Sequence, residues 1–342
     1  MNRAVGKRSL FDDEIDVHEF FGCLAMSVRR GEILIHAYSI MTTHFHLLLE
    51  SLVGKLAVAM RRIESEYVRV FNRRHKRDGP LVRGRFRSKC VSTYGYWMRV
   101  IRYIDQNPVQ AGVVAAPWLH PYGSATHYVN GTGPQWLERA AIEREVSARH
   151  STGVFDGAGY KRLFGTATSP AEEAWLLSRV ERGDRDPDPL PHLVIGAPEA
   201  IRQWLEERTR VADGTRAGVP VVDVDSLRYA MQALEAKTPD WQLGGKRSAR
   251  NGWQLARVGL MRDLCGLTLQ AISRRGEKSV STIRERLLDY ADVLRSDAVF
   301  RERVGVIAHA AIQRWAEDFN LGDSTANLAA GWIDGIGLAA GL

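Results

Sequence analysis

His44 and His46 stand one residue apart in the run Met41-Thr42-Thr43-His44-Phe45-His46-Leu47-Leu48-Leu49-Glu50. Side chains alternate between the two faces of a strand. Both imidazoles, with Leu48 and Glu50, therefore share one face, and Phe45, Leu47 and Leu49 share the other. Two imidazoles on one face can hold a single metal ion; the same alternation also describes two polar residues on a solvent-facing side. The partner segment comes about fifty residues on. Between Tyr94 and Asn107, the residues Tyr94, Trp97, Ile101 and Ile104 form the core stripe of a helix. At roughly 100° per residue, Tyr103 lies nearly opposite the middle of that stripe. A tyrosine kept for packing would sit with the isoleucines, so Tyr103 is available for chemistry. Asn107 shares its face one turn later.

Residues 12–29 read as a helix with Ile15, Phe20, Cys23, Leu24 and Val28 near one face and acids at its start, as the helix dipole favours. Gly31 stops it. Residues 33–40 are a strand, and the Met-Thr-Thr segment turns the chain into the histidine strand. After Gly54, the spacing of Leu56, Met60, Ile63, Tyr67 and Val70 predicts a helix with one buried stripe and an arginine-rich remainder. Leu81 to Ser92 reads as a basic strand or hairpin. Pro108 ends the tyrosine helix, because the residue before proline disfavours α geometry. From about 115 to 128 the pattern is irregular and aromatic.

The chain of 342 residues carries a formal net charge of +7, with a pI near 9.4. Between Arg61 and Lys89 lie eleven Lys or Arg residues against three acids, a surplus of eight in one segment. Arg61, Arg62, Arg69, Arg73, Arg74, Lys76, Arg83, Arg85, Arg87 and Lys89 are its candidate phosphate contacts, with Tyr67, Phe71 and Phe86 interleaved. Cations for phosphate and rings for bases suit a nucleic-acid strand; the plainer alternative is a solvated face. Three scattered cysteines, Cys23, Cys90 and Cys265, make neither a disulfide framework nor a zinc knuckle, which suits a reducing compartment. No apolar run is long enough to span a bilayer, and no secretory signal is evident.

Helices are expected at 136–148, 170–181, 197–210 and 225–236, with a linker over 183–189 and a loop over 241–250 carrying Lys246, Arg247 and Arg250. The last block is helical: 252–264, then 268–274 behind a threonine cap, then a turn at Gly276-Glu277-Lys278. A helix follows to Leu294, capped by Ser279 or Ser281. Two helices across a glycine turn suit a helix-turn-helix, although an ordinary helical core has the same pattern. Gly335 to Leu342 reads as a frayed end.

His44-Phe45-His46, then Gly84-Arg85-Phe86-Arg87-Ser88, then Arg102-Tyr103-Ile104-Asp105-Gln106-Asn107-Pro108-Val109-Gln110-Ala111-Gly112 come in the order and spacing of a known family. Over about residues 2–128 the chain resembles the single-tyrosine HUH transposases, in particular the REP-associated tyrosine transposases. The resemblance implies an α+β fold, a ferredoxin-like antiparallel sheet with helices on it. It also implies a divalent ion, Mg²⁺ or Mn²⁺, held by His44, His46 and Asn107, and cleavage of single-stranded DNA by Tyr103 through a 5′-phosphotyrosine. The covalent link conserves the bond for rejoining, so no nucleotide cofactor is needed. Thr42-Thr43 replaces the family's Pro-Asn before the first histidine. The family's opening Tyr-His-Val strand has no counterpart: either the true start lies upstream or the sheet lacks an edge strand.

Residues 253–304 resemble the C-terminal DNA-binding domain of the bacterial replication initiator DnaA, through 264–272, 279–283 and 295–301. That likeness implies duplex reading by the helix after Ser281, with Thr282, Arg284 and Arg286 as contacts; Glu285 is also exposed there. No phosphate loop accompanies it, so no ATPase is implied. The expected domains are 1–128 (nuclease), 129–240 (helical connection), 241–315 (helix-turn-helix) and 316–342 (tail). The function that follows is a metal-dependent single-strand endonuclease and strand transferase, a transposase acting on hairpin-forming repetitive DNA. The rival is a non-cleaving DNA-binding or regulatory protein descended from one. Expected partners are single-stranded and hairpin DNA and duplex DNA, with no membrane; the expected location is the bacterial cytoplasm, at the nucleoid.

Overall fold

The computed structural model describes residues 1–6, 8–150, 153–182, 188–211, 218–243 and 250–317, without the side chains of 209–211 and 250. Most of the expected linker over 183–189, Lys246, Arg247, the side chain of Arg250 and nearly all of the 316–342 tail lie outside them. The chain is α+β and mostly helical, with fourteen α-helices and a small antiparallel sheet of three strands among the described residues. It divides into two compact units. The first holds 1–88 and 98–168; the second holds 89–97 and the described residues from Ser169 on. The first unit thus continues forty residues past Tyr128.

The first unit runs β1 (Asn2–Arg3), α1 (Glu14–Arg29), β2 (Ile33–Met41), β3 (His44–Ser51), α2 (Leu56–Arg74), most of α3 (Tyr94–Gln110), α4 (Ser124–Asn130), α5 (Ala140–Ala148) and α6 (Gly157–Phe164). The strand order is β1-β3-β2, all antiparallel, with Met41 opposite His44 across a two-residue turn. The carbonyl oxygens of Thr42 and Thr43 accept from the amides of Leu10, Phe11 and Ala4, which pins this turn from outside. The sheet has an edge strand after all: Asn2 pairs with Phe45 and Arg3 with His44.

Each helix sits where its apolar stripe can be buried. On α1 the stripe is Val17, Phe20 and Leu24; Ile15, nearly opposite them on the helical wheel, is 54% exposed, contrary to the sequence expectation. Gly31, at φ 66°, ends the helix in a left-handed turn. On α2 the buried residues include Met60, Ile63, Tyr67 and Phe71, whereas Val70 is only half-buried. Phe11, Phe20, Phe45 and Tyr67 meet at ring separations of 4.8–5.3 Å, so α1 and α2 cover the Phe45 face of the sheet.

The other face lies under α3. This helix passes through Pro108 to Gln110 instead of ending before it. Proline removes one amide bond, to Ile104, but in the final turn that loss is local. The amide of Ala111 still reaches the Asn107 oxygen at 3.0 Å, and Gly112 closes the helix at φ 69°. Leu81–Ser92 is neither strand nor hairpin. It is irregular, and its backbone bonds to the first residues of the chain: Val5 to Leu81, Arg83 to Arg3 and Arg87 to Met1, all at 2.8–2.9 Å.

The second unit takes the first turn of α3 and then α7 (Pro170–Arg182), α8 (Leu190–Ile195), α9 (Pro198–Val211), α10 (Val224–Glu235), the two-residue strands β4 (Gln242–Leu243) and β5 (Arg250–Asn251), α11 (Gly252–Asp263), α12 (Leu269–Gly276), α13 (Val280–Ser296) and α14 (Ala298–Glu317). Thr268 and Ser279 cap α12 and α13 through their hydroxyls, and Glu277 turns between them at φ 50°. Val258, Ile272, Ile283 and Leu287 form the common core of α11, α12 and α13. Among the described residues no helix is long and apolar enough to cross a membrane.

Candidate functional site

The β2–β3 turn delivers His44 to the end of the sheet, and the pleat places His46 on the same face. His44 Nε2 lies 3.1 Å from Oδ1 of Asn107, and His44 Nδ1 lies 3.0 Å from the Thr43 hydroxyl. An amide oxygen only accepts, so Nε2 carries the proton and Nδ1 accepts from Thr43. The rings of His44 and His46 meet edge to face at 5.1 Å, and His46 meets Tyr103 in the same manner at 5.3 Å. Four side chains from two distant segments therefore share one small region.

This is no solvent-facing pair of histidines: His46 is 6% exposed. Burial holds its pKa well below the usual histidine value. Burial lowers His44 too, with the Asn107 bond opposing. Both imidazoles are neutral at pH 7, as metal ligation requires. Two donor atoms 3.1 Å apart also suit one ion, since an octahedral site with bonds near 2.1 Å has edges of about 3.0 Å. By donor type, imidazole nitrogens beside an amide oxygen are better matched to Mn²⁺ than to Mg²⁺.

Tyr103 lies opposite the isoleucine stripe of α3, but that face is not open. The helix is buried nearly all round, and Tyr103 is 9% exposed. One side of α3 covers the histidine face, and the other is covered by α6. Tyr96, on the same helix, is no rival for the chemistry. It is 1% exposed, with the Arg179 guanidinium 4.7 Å over its ring, and burial pushes its hydroxyl up to about 12.

No family model, no curated protein and no solved structure matches the chain.

The basic segment divides on inspection. Tyr67 and Phe71 are 2% and 0% exposed, core residues that cannot stack on bases, contrary to expectation; the helical period that buries them overrides their place between arginines. Arg74 bonds Asp13 and Asp16, Arg62 pairs with Glu32, and Arg69 pairs with Glu66. Arg61, Arg73, Arg83 and Arg85 are exposed and make no ion pair among the described residues; Lys76 and Arg87 are also exposed, and Lys89 is half-buried. Arg61, Arg69, Arg85 and half-buried Phe86 line one groove of about 750 Å³ between α2 and the 80–86 segment, with Glu64 at its floor.

On α13, Arg284 and Glu285 are exposed, and Thr282 and Arg286 partly so; the Thr282 hydroxyl lies 2.8 Å from that of Ser279. The sequence reading missed one cluster. Asp12, Asp16 and His75 gather oxygen and nitrogen atoms within 4.8 Å of one another. Arg74 already reaches Asp16 at 2.6 Å and His75 reaches it at 3.0 Å, so the buried carboxylate is compensated by a guanidinium and joins α1 to the end of α2. Acids opening one helix and bases closing another were the available signal.

Proposed function

We propose that the chain is a metal-dependent endonuclease and strand transferase for single-stranded DNA, acting on hairpin-forming repeats through a 5′-phosphotyrosine on Tyr103. On this reading the first unit is a ferredoxin-like HUH domain of the REP-associated tyrosine transposase kind, and α11–α13 hold a helix-turn-helix that reads duplex DNA. One observation supports it most: the His44–His46 motif and the Tyr103–Asn107 motif, from a strand and a helix far apart in sequence, bring their side chains together.

His44, His46 and Asn107 would hold Mg²⁺ or Mn²⁺. The chemistry such an ion supplies is charge withdrawal from the scissile phosphate. Tyr103 needs that help, since a phenol near its free pKa of about 10 is a weak nucleophile. Its oxygen would bond to phosphorus as the phenolic proton departs, and the 3′-oxygen would leave as a hydroxyl. The groove lined by Arg61, Arg85 and Phe86 would hold the strand by phosphate contact and one stacked base.

One observation favours a second reading, a non-cleaving DNA-binding or regulatory protein: the 9% exposure of Tyr103, which limits access of a strand to its hydroxyl. A single incubation separates the two. Labelled hairpin DNA with Mn²⁺ is expected to give a covalent protein–DNA adduct that survives denaturation. Tight binding without an adduct would support the second reading instead.

A further inference from the structure

The histidines ride on β3 and the Tyr103–Asn107 pair rides on α3, so the site works only if the two elements keep their relative rotation. Their direct contacts include an edge-to-face ring pair and one hydrogen bond. A second connection runs behind α3. The Tyr160 hydroxyl, on α6, donates to Asp105 Oδ2 at 2.6 Å, and both residues are almost wholly buried. The Gln106 amide donates to the oxygens of Gly165, at 3.0 Å, and Phe164, at 3.4 Å; these are among the carbonyls that the end of α6 leaves without helical partners. The Tyr160 ring stacks on Tyr128 at 4.8 Å, and the Tyr128 hydroxyl donates to the His36 oxygen of β2 at 2.7 Å. A continuous path therefore leads from the sheet through Tyr128 and Tyr160 to α3.

Asp105 and Gln106 sit between Tyr103 and Asn107 in sequence, and on the helical wheel Asp105 points away from them. We propose that α6 sets the rotation of α3, with Asp105, Gln106 and Tyr160 as positioning residues that aim Tyr103 and Asn107 at the histidine pair. The proposal rests on the nuclease reading for its kinetic consequence. A reacting group displaced by 1 Å can cost about 100-fold in rate.

The test uses the full chain. In Tyr160→Phe and in Gln106→Met, single-turnover adduct formation with Mn²⁺ is expected to slow about tenfold or more, while affinity for the same strand stays within about twofold. Asp105→Asn, whose amide oxygen still accepts the Tyr160 hydroxyl, should recover most of the rate lost in Asp105→Leu. A second readout needs neither metal nor activity. The ¹⁵N shifts of the His44 ring report the single tautomer that Asn107 and Thr43 impose, and that pattern should average in Tyr160→Phe. Unchanged adduct rates and an unchanged His44 ring in both Tyr160→Phe and Gln106→Met would overturn the positioning role. Failure of the unsubstituted protein to form any adduct would count against the nuclease reading, and the His44 ring alone would then decide the role of α6.

Discussion

The Nε2 atom of His44 lies 3.1 Å from Oδ1 of Asn107, 63 residues away in sequence. In the metal-free protein this is a hydrogen bond; the same spacing serves two ligands of one ion. Removing either partner should therefore weaken metal binding directly. Asn107→Ala and His44→Ala are each expected to lower Mn²⁺ affinity by about tenfold or more, read by titration of the free protein. His46→Ala should lose the metal too, but with a structural cost of about 1–3 kcal/mol, because its ring is buried against Tyr103. Equal stability of the His44 and His46 variants in urea would contradict that difference.

Tyr103→Phe should abolish the covalent adduct and leave strand affinity within about twofold. The phenylalanine ring keeps the edge contact with His46. An adduct in this variant would assign the nucleophile elsewhere, though not to Tyr96, which lies under Arg179.

Burial raises Asp105 from 3.8 to about 7, its hydrogen bond from Tyr160 opposing. The folded protein holds that proton across a window in which the unfolded chain has lost it. Stability from this group is thus fully present below about pH 4 and declines as pH rises toward 7, by up to about 1.4 kcal/mol per unit. Melting temperatures at pH 5 and 7 check this: the fall should be smaller in Asp105→Asn. The neutral histidines work in the opposite sense. Their lowered pKa values give stability above the ordinary histidine value that is lost as pH falls below it.

Arginines of the basic segment should separate into two kinds. Arg61→Ala and Arg85→Ala, which remove groove cations without ion pairs among the described residues, should each reduce the salt dependence of single-strand binding by about 0.7 in log–log slope. Arg74→Ala should instead lower the melting temperature and leave that slope unchanged, since its guanidinium is bonded to Asp13 and Asp16.

Arg284→Ala on α13 should cost about 1–3 kcal/mol of discrimination between duplex sequences and leave single-strand cleavage untouched. Competition binding with matched duplexes measures the first, and the adduct assay the second.

Much of the site was legible because it depends on short periods. The two-residue pleat put His44 and His46 together, and the helical period put Tyr103 and Asn107 together. Local chemistry also marked the caps at Thr268 and Ser279. Burial was not legible in the same way. The wheel showed that Tyr103 stands opposite the isoleucines, but nothing local says that its side of α3 closes on the histidine face of the sheet, or that a later helix covers the side of Asp105. That helix, α6, begins Gly157-Ala158-Gly159, a poor helical opening rescued by the Asp156 side chain on the Gly159 amide. A boundary placed at 128 accordingly leaves Tyr160 outside. Pro108 misled for a related reason: the rule for the residue before proline is a local preference, and the tertiary setting of α3 outweighs it over one turn.

The backbone pairing of residues 1–5 with 81–87 has a consequence for assembly. On its far side, β2 is also closed, by the bonds of Ile40 to Tyr122 and Glu138 to Ile35. Along β1 the sheet therefore offers another molecule no regular ladder of open amides and carbonyls, and the segment that covers it is broken by Pro80 and by Gly84 at φ 72°. Such blunting is how sheets avoid strand-to-strand aggregation. A second copy of this unit could not add a strand at β1, because residues 81–87 already occupy its outer side.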